Sequence, residues 1–247
     1  MRKNNLFITS SCLLGALASC YGAFGKNPRP NVILILADDM GIGDIRGLTP
    51  DSQIETPRLD EMCNRGIAFT DAHASSALST PSRYSILTGR YNWRSTKKGG
   101  VLGVMSPPMI ATGRNTIADM FRACGYTTAA IGKWHLGWDW TYKEGKAKTV
   151  DNIDFTKRVA NGPTDRGFDY FYGLTSPSGP PHLYMVNDMA EKQPNTRFED
   201  SGGGLYRIKG GIGHSDWSAD GMQPHLADKM LDYLDDNKNS DKPFFLY

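Results

Sequence analysis

The chain has 247 residues, of which 39% are hydrophobic and 22% are charged, and its formal net charge is +2. This composition is typical of a globular protein and shows no low-complexity or repeat signal. The small net charge and the lack of a basic stripe give no indication of nucleic-acid binding, and we expect none. The basic cluster at 90–98 is interpreted as a solvated loop that could also attract an anionic substrate.

Residues 1–23 have the features of an export signal. A basic start at 2–3 precedes an apolar segment at 6–18, which is too short to span a bilayer. Two processing sites stay open. Cleavage before Cys20, in the lipobox-like sequence Leu-Ala-Ser-Cys, would leave that cysteine lipidated, whereas cleavage after Ala23 would leave no anchor. Both predict a protein outside the cytoplasm, either periplasmic or anchored to the outer membrane of a bacterium.

Strands and helices alternate along the remainder, residues 24–247. The continuous apolar run at 31–37, bounded by Pro30, is typical of a buried parallel strand. The other predicted strands are 67–71, 127–131, 167–174 and 242–247, and the predicted helices are 57–65, the segment after Pro81, 116–124 and 225–236. This alternation predicts an α/β fold with a doubly wound, mostly parallel sheet and helices on both faces. The aromatic region at 138–221 has weak periodicity and is interpreted as loops that cover a substrate.

Two adjacent carboxylates follow the first predicted strand. Asp38 and Asp39 open the sequence Asp-Asp-Met-Gly-Ile-Gly-Asp, and open α/β sheets form their sites at the carboxyl ends of strands. Carboxylate oxygens are hard ligands suited to Ca²⁺ or Mg²⁺. Taken in isolation, the pair is equally explained as acidic turn residues. A dinucleotide-binding loop is discarded because Arg46 occupies the position of the third glycine.

The most specific motif is at 79–89, with the sequence Ser-Thr-Pro-Ser-Arg-Tyr-Ser-Ile-Leu-Thr-Gly. Thr80 is predicted to cap a helix whose first residue is Pro81. Ser79 would then lie just before a helix N-terminus, where free amides and the helix dipole attract an anion. Arg83 is near enough to add a bidentate clamp for a tetrahedral oxyanion. The alternative is an ordinary capped surface helix.

A third motif, Ile-Gly-Lys-Trp-His-Leu-Gly at 131–137, follows a predicted helix with Asn115 as N-cap and Gly125 just beyond its end. Lys133 and His135 are two residues apart, so in extended backbone their side chains would point the same way. Together they would offer a fixed positive charge beside a titratable proton carrier. The alternative is a solvated lysine and a packed histidine.

In this order, the three motifs resemble those of the sulfatases, formylglycine-dependent enzymes of the alkaline phosphatase superfamily that include arylsulfatases and N-acetylgalactosamine-6-sulfatases. The resemblance implies that Ser79 is oxidised to formylglycine, and a serine at this position implies an oxygen-independent, serine-type maturase. It also implies that Asp38, Asp39 and residue 79 bind one Ca²⁺. The implied substrate is a sulfated carbohydrate or an aryl sulfate.

The resemblance further implies catalytic roles for Arg83, Lys133 and His135. One hydroxyl of the hydrated aldehyde attacks sulfur and the alcohol leaves; His135 then deprotonates the second hydroxyl, so that C–O cleavage expels sulfate and restores the aldehyde. The metal, Arg83 and Lys133 neutralise the charge of the sulfate. His182, in the sequence Pro-Pro-His, falls where related enzymes keep substrate-pocket residues, although a loop histidine without a role explains it equally well.

Sulfatases of this type continue well past the strand equivalent to 242–247, with a second histidine, a second lysine, an Asp-Asn pair for the metal and a smaller C-terminal domain. We therefore expect the chain to be the N-terminal part of a catalytic domain. Alone, it should be inactive or poorly folded, with an apolar edge exposed by its last strand.

The sequence leaves open both the exact function and the state of two cysteines. One alternative function is a phosphonate or phosphodiester hydrolase of the same superfamily, and another is a non-catalytic lipoprotein that binds sulfated glycans. Cys63 and Cys124 are each near the end of a predicted helix, and both free thiols and a disulfide are compatible with this spacing.

Overall fold

The computed structural model describes residues 29–202 and 207–247. The predicted export signal, with its lipidation site at Cys20, lies outside these residues. Within the described ranges, no helix combines the length and the apolar character that a membrane span requires.

The main sheet of the described chain has six strands, four of them parallel. In chain order the strands are β1 (Val32–Ile33), β2 (Thr127–Lys133), β3 (Tyr170–Leu174), β4 (Met185–Val186), β5 (Met189–Ala190), β6 (Thr196–Phe198), β7 (Gly211–Gly213) and β8 (Phe244–Leu246). The sheet order is β1-β8-β2-β3-β4-β5, and β6 and β7 form a separate antiparallel pair. Strands β1, β8, β2 and β3 run parallel, whereas β4 and β5 add an antiparallel extension. The predicted mostly parallel sheet is confirmed.

Helices cover both faces of this sheet, as predicted. The α-helices of the described chain are α1 (Pro57–Arg65), α2 (Ser79–Thr88), α3 (Ile117–Ala123) and α4 (Ala219–Asn237). Alternate strand residues face opposite sides. Phe245 packs in one core with residues of α2 and α3, whereas its neighbours Phe244 and Leu246 pack in another with Tyr233 of α4. One strand thus supports two layers of helix.

The last strand, β8, does not form the apolar edge that the sequence predicted. It lies between β1 and β2, and its side chains are at most 4% exposed. Exposed apolar side chains do occur in the predicted strand at 31–37, where Ile33 is 48% and Ile35 74% exposed. Among the described residues β1 pairs only with β8, so the prediction that this run is buried throughout is wrong.

The predicted strand at 67–71 is not formed. Ile67 and Phe69 are among the most exposed large hydrophobic side chains of the described chain, and no described strand pairs with this segment. Local β propensity does not produce a strand without a partner.

Helix boundaries differ from the predictions where a polar side chain caps the helix. The α3 helix begins one residue later than expected because Thr116, and not Asn115, is its N-cap: the Thr116 hydroxyl accepts from the Asp119 amide. The α4 helix begins earlier than expected because Ser218 caps it in the same way. On α4, Leu226 is buried as predicted, but Leu231 is 62% exposed.

The aromatic region at 138–221 contains several buried aromatic side chains, and its role in covering a substrate stays a prediction. Trp138 is 1% exposed and meets Trp140 edge-on at 5.2 Å, and Phe155 packs edge-on against Trp140. Large aromatic side chains supply much buried area in irregular segments, so the weak periodicity reflects short strands joined by buried aromatic turns.

The two cysteines of the described chain do not form a disulfide. Cys63, on α1, is half-buried, and Cys124, at the end of α3, is exposed. The structure contains no disulfide between them.

Two glycines face each other where strands β2 and β3 pair. Gly132 pairs with Gly173, and a Cβ added to Gly173 would lie 1.9 Å from the carbonyl oxygen of Gly132. Gly132 itself has φ +122°, a conformation that favours glycine. This contact lies one residue before Lys133, so it fixes the end of β2 that carries the third motif.

We predict that Gly173→Ala lowers the free energy of unfolding by about 2 kcal/mol or more, because the strands must separate to admit the methyl group. Urea unfolding of the two proteins would measure this. The matched control is Gly99→Ala, where an added Cβ meets nothing within 4 Å, and its effect should stay within about 0.5 kcal/mol. Equal unfolding midpoints for the two variants would contradict the prediction.

Candidate active site

Three segments that are distant in sequence meet at the carboxyl ends of β1 and β2. Asp38 follows β1, Ser79 is the first residue of α2, and Lys133 is the last residue of β2. The Lys133 Nζ donates to Asp38 Oδ2 at 2.5 Å, and Ser79 Oγ lies 2.7 Å from His135 Nδ1. The structure therefore brings together the residues of all three motifs.

The hydrogen bonds of His135 determine which ring nitrogen carries the proton. His135 Nε2 lies 2.8 Å from the carbonyl oxygen of Leu102. Because a carbonyl oxygen can only accept, Nε2 must be the protonated nitrogen of the neutral ring, and Nδ1 accepts from the Ser79 hydroxyl. Burial, opposed by the bond to Leu102 and assisted by nearby positive charge, lowers the pKa of His135 to about 4. At neutral pH the ring is a neutral base directed at residue 79.

Positive charge is concentrated around Asp38. The buried Arg83 guanidinium donates to the carbonyl oxygen of Lys133 at 2.7 Å and lies 3.4 Å from Asp38 Oδ2. Burial raises the pKa of Asp38, but the hydrogen bond from Lys133 and the charges of Lys133 and Arg83 outweigh it, so the pKa lies below its usual value. Asp38 is therefore ionised, and its two cationic neighbours together exceed its charge.

The same cations line a cleft of about 390 Å³ next to the helix α4. Asp38, Arg83 and Lys133 form its charged end, and apolar side chains that include Ile131, Leu174, Met222 and Leu226 form the rest. A cleft with fixed positive charge on low-dielectric walls attracts anions.

The candidate metal ligands fit a hard cation in type but not in number. Asp38 and the exposed Asp39 offer carboxylate oxygens, and residue 79 offers a hydroxyl. These donors suit Ca²⁺, which takes about six to eight oxygens. No cluster of three or more histidine, cysteine or acidic residues that could hold a metal occurs in the part of the chain that the structure describes. The described residues thus offer fewer oxygen donors than such a cation takes.

Two site residues have left-handed backbone conformations. Asp39 has φ 59° and His135 has φ 53°, values that are uncommon for residues other than glycine and that cluster at functional sites. Strand β2 ends at Lys133, so the expectation that extended backbone aligns Lys133 with His135 is wrong. The two side chains reach the site independently, one toward Asp38 and the other toward Ser79.

The predicted capping role of Thr80 is also wrong. The helix α2 starts at Ser79 after the N-cap Leu78, without a side-chain cap. The Thr80 hydroxyl instead donates to the His135 carbonyl oxygen at 3.0 Å and accepts from the Leu102 amide at 3.1 Å. Sequence reasoning missed both Thr80 and Leu102 as site residues. For Leu102 no signal exists, because its backbone makes the contacts.

His182, predicted to bind substrate, is 2% exposed. Its Nε2 lies 2.7 Å from the carbonyl oxygen of Lys209, and its ring packs against Trp217 with centroids 4.4 Å apart. These contacts involve neither Ser79 nor His135, and a substrate role for His182 stays a prediction.

Comparison with known proteins identifies a family. The Sulfatase family model matches residues 30–247. The N-acetylgalactosamine-6-O-sulfatase of Bacteroides thetaiotaomicron is 32% identical over 90% of this chain and 48% of its own length, and arylsulfatase G of Rattus norvegicus is 31% identical over 90% and 40%. A solved structure from work on glycosaminoglycan metabolism by Bacteroides thetaiotaomicron superimposes with a TM-score of 0.72, at 28% identity, over 90% of this chain and 50% of that one.

The chain therefore belongs to the sulfatase family. Its parallel sheet with flanking helices matches the sulfatase structures. It spans about half the length of the curated relatives it matches.

We predict that Arg83→Lys destabilises the protein by about 2 kcal/mol, because Arg83 uses two separate guanidinium nitrogens, one for the Lys133 carbonyl and one for Asp38, and a single ammonium nitrogen cannot occupy both positions. Thermal and urea unfolding would measure the loss. The control is Arg65→Lys on α1, where the side chain is 80% exposed and pairs with Glu61, and the expected change is below about 0.5 kcal/mol. A smaller loss for Arg83→Lys than for the control would refute the role given to Arg83.

Proposed function

We propose that the protein hydrolyses sulfate monoesters of carbohydrates through a formylglycine formed at Ser79, with one Ca²⁺ held in part by Asp38 and Asp39. The proposal requires a serine-type formylglycine-generating maturase as a partner. The sequence features of residues 1–23 support action outside the cytoplasm, in the periplasm or, with a lipid anchor at Cys20, at the outer membrane.

The observation that carries this proposal is the 2.7 Å hydrogen bond between Ser79 Oγ and His135 Nδ1. The His135 ring is neutral and its acceptor nitrogen faces residue 79. After oxidation and hydration of residue 79, the same nitrogen is in place to accept a proton from a hydroxyl of the hydrate. Loss of that proton drives C–O cleavage, which releases sulfate and restores the aldehyde.

The positive groups of the site suit a sulfate ester. Lys133 and the buried Arg83 both approach Asp38 Oδ2 and line one end of the cleft. Such fixed charges stabilise the negative oxygens of a sulfuryl group without reorganisation during the reaction. A hard divalent cation bound by the carboxylates would add Lewis-acid polarisation of the sulfate oxygens.

A carbohydrate sulfate is the substrate class favoured by the relatives. The N-acetylgalactosamine-6-O-sulfatase carries a sugar sulfate in its name, and the superimposable structure comes from glycosaminoglycan metabolism. We propose the same class here.

We predict that Ser79→Ala abolishes sulfatase turnover in full-length protein co-expressed with a serine-type maturase, while the unfolding temperature changes little. The control is Ser85→Ala on the same helix, whose hydroxyl bonds only to the Pro81 carbonyl. It should retain activity. Mass spectrometry of the wild-type peptide should show a loss of about 2 Da from oxidation of Ser79. Substantial turnover by Ser79→Ala, or an unmodified serine in an active enzyme, would end the hypothesis.

We predict that Ca²⁺ raises the unfolding temperature of the full-length protein and that Asp38→Asn reduces this rise, since a ligand that binds the native state stabilises it. Calorimetric titration after chelation would give the affinity directly. The matched control is Asp241→Asn, an exposed carboxylate before β8, which should leave the calcium response unchanged. If calcium alters neither stability nor activity of the wild type, the metal assignment fails.

A further inference from the structure

The Ser79–His135 pair belongs to a closed ring of four hydrogen bonds that passes through Thr80. Ser79 Oγ is hydrogen-bonded to His135 Nδ1, and His135 Nε2 is hydrogen-bonded to the Leu102 carbonyl oxygen. The Leu102 amide donates to Thr80 Oγ1, which in turn donates to the His135 carbonyl oxygen. Because Thr80 follows Ser79 directly in α2, the peptide backbone completes the ring.

Every member of this ring has its donor or acceptor role fixed by chemistry. The amide of Leu102 can only donate and the carbonyl of His135 can only accept, so the single hydroxyl proton of Thr80 must point to His135. The Leu102 carbonyl can only accept, which places the ring proton on Nε2. The acceptor state of Nδ1 thus follows from the backbone position of Leu102.

The Thr80 hydroxyl is the group that holds Leu102 and His135 at this separation. Thr80 is 0% exposed, so water cannot replace its two bonds without a cavity. His135 has a left-handed backbone, with φ 53°. Two hydrogen bonds hold its backbone in the site: the Thr80 hydroxyl donates to the His135 carbonyl, and the His135 amide donates to the Thr175 carbonyl. The buried Thr80 hydroxyl thus bridges the Leu102 amide and the His135 carbonyl.

The segment that carries Leu102 is held on its far side as well. The Trp140 indole donates to the Val104 carbonyl, and the Met109 amide donates to the Leu136 carbonyl. The backbone of Pro107 lies so close to Gly137 that an added Cβ would stand 2.2 Å from the Pro107 carbonyl oxygen. Thr80 therefore connects the helix of the nucleophile to an already fixed loop.

We infer that Thr80 is a positioning residue for the base: its hydroxyl keeps His135 in the Nε2-protonated tautomer with Nδ1 directed at residue 79. This inference rests on the proposed function, because it assigns the base of that same reaction. It gives a role to a buried side chain whose hydroxyl bonds to the backbone of His135 and Leu102.

The test compares Thr80→Val, which keeps the shape and removes the hydroxyl, with Thr80→Ser, which keeps the hydroxyl. The matched control is Thr88→Val on the same helix, whose hydroxyl bonds only to the Tyr84 carbonyl. For each full-length variant the fraction of formylglycine is measured by mass spectrometry, and kcat is expressed per modified molecule. This separates a fault in positioning from a fault in maturation.

For Thr80→Val we expect kcat to fall by about 10- to 100-fold with KM changed by less than about threefold, because the base is misdirected while the binding groups are intact. Thr80→Ser should recover most of kcat, and Thr88→Val should match the wild type. Equal kcat for Thr80→Val and the wild type overturns the inference, as does a Thr80→Ser variant as impaired as Thr80→Val.

A second measurement does not depend on turnover. Nitrogen NMR of histidine-labelled protein, with the His135 signals assigned from a His135→Asn variant, reports the tautomer directly. We expect the Nε2-protonated form in the wild type and in Thr80→Ser, and a mixture of tautomers in Thr80→Val. An unchanged tautomer in folded Thr80→Val overturns the inference. If the wild type lacked sulfatase activity while Thr80→Val still showed the mixture of tautomers, the proposed function would fail and the effect of Thr80 on the His135 ring would stand.

Discussion

The candidate site depends on the hydrogen bond from His135 Nε2 to the carbonyl oxygen of Leu102. It forces the second ring nitrogen to be an acceptor, and that nitrogen faces Ser79. Burial lowers the pKa of the ring to about 4, so it is neutral at physiological pH. With the two ring nitrogens exchanged, the same fold would direct a donor at residue 79, and the ring could not accept a proton there. One backbone carbonyl therefore decides which ring nitrogen of His135 can accept a proton.

The charges around Asp38 are balanced in a way that leaves an attraction for anions. The Asp38 carboxylate and its two cationic neighbours, Lys133 and Arg83, together carry a net positive charge. Arg83 is buried. Removing one partner of a buried pair leaves an uncompensated charge, which is costly. A divalent cation on Asp38 and Asp39 would add further positive charge, and a dianionic or monoanionic ester would then compensate it. The site is thus electrostatically incomplete without an anion.

The sequence predicted which segments form the site and the mostly parallel sheet, because both follow from local residue patterns. The run that ends at Asp38, the segment that ends at Lys133 and the helix that begins at Ser79 carry specific spacings, and parallel strands bring such ends together. The predictions failed where a neighbouring strand decides whether a segment forms a strand or where that strand lies in the sheet. The strand predicted at 67–71 has no described neighbour, and β8 is internal because β1 pairs with its free side. The roles of Thr80 and Leu102 were invisible because a backbone carbonyl carries no sequence signal and a threonine near a helix start looks like a cap.

The geometry also bears on the alternative functions. A module that only binds sulfated glycans needs the positive charges of Arg83 and Lys133, but it has no use for a neutral, buried imidazole bonded to residue 79. Burying such a group and holding His135 at φ 53° both cost stability. Costs of this kind are expected where a proton must be moved, since strained backbone and shifted pKa values cluster at catalytic sites. A phosphodiester hydrolase would use the same base and the same cations, so the imidazole separates catalysis from binding but does not distinguish sulfur from phosphorus.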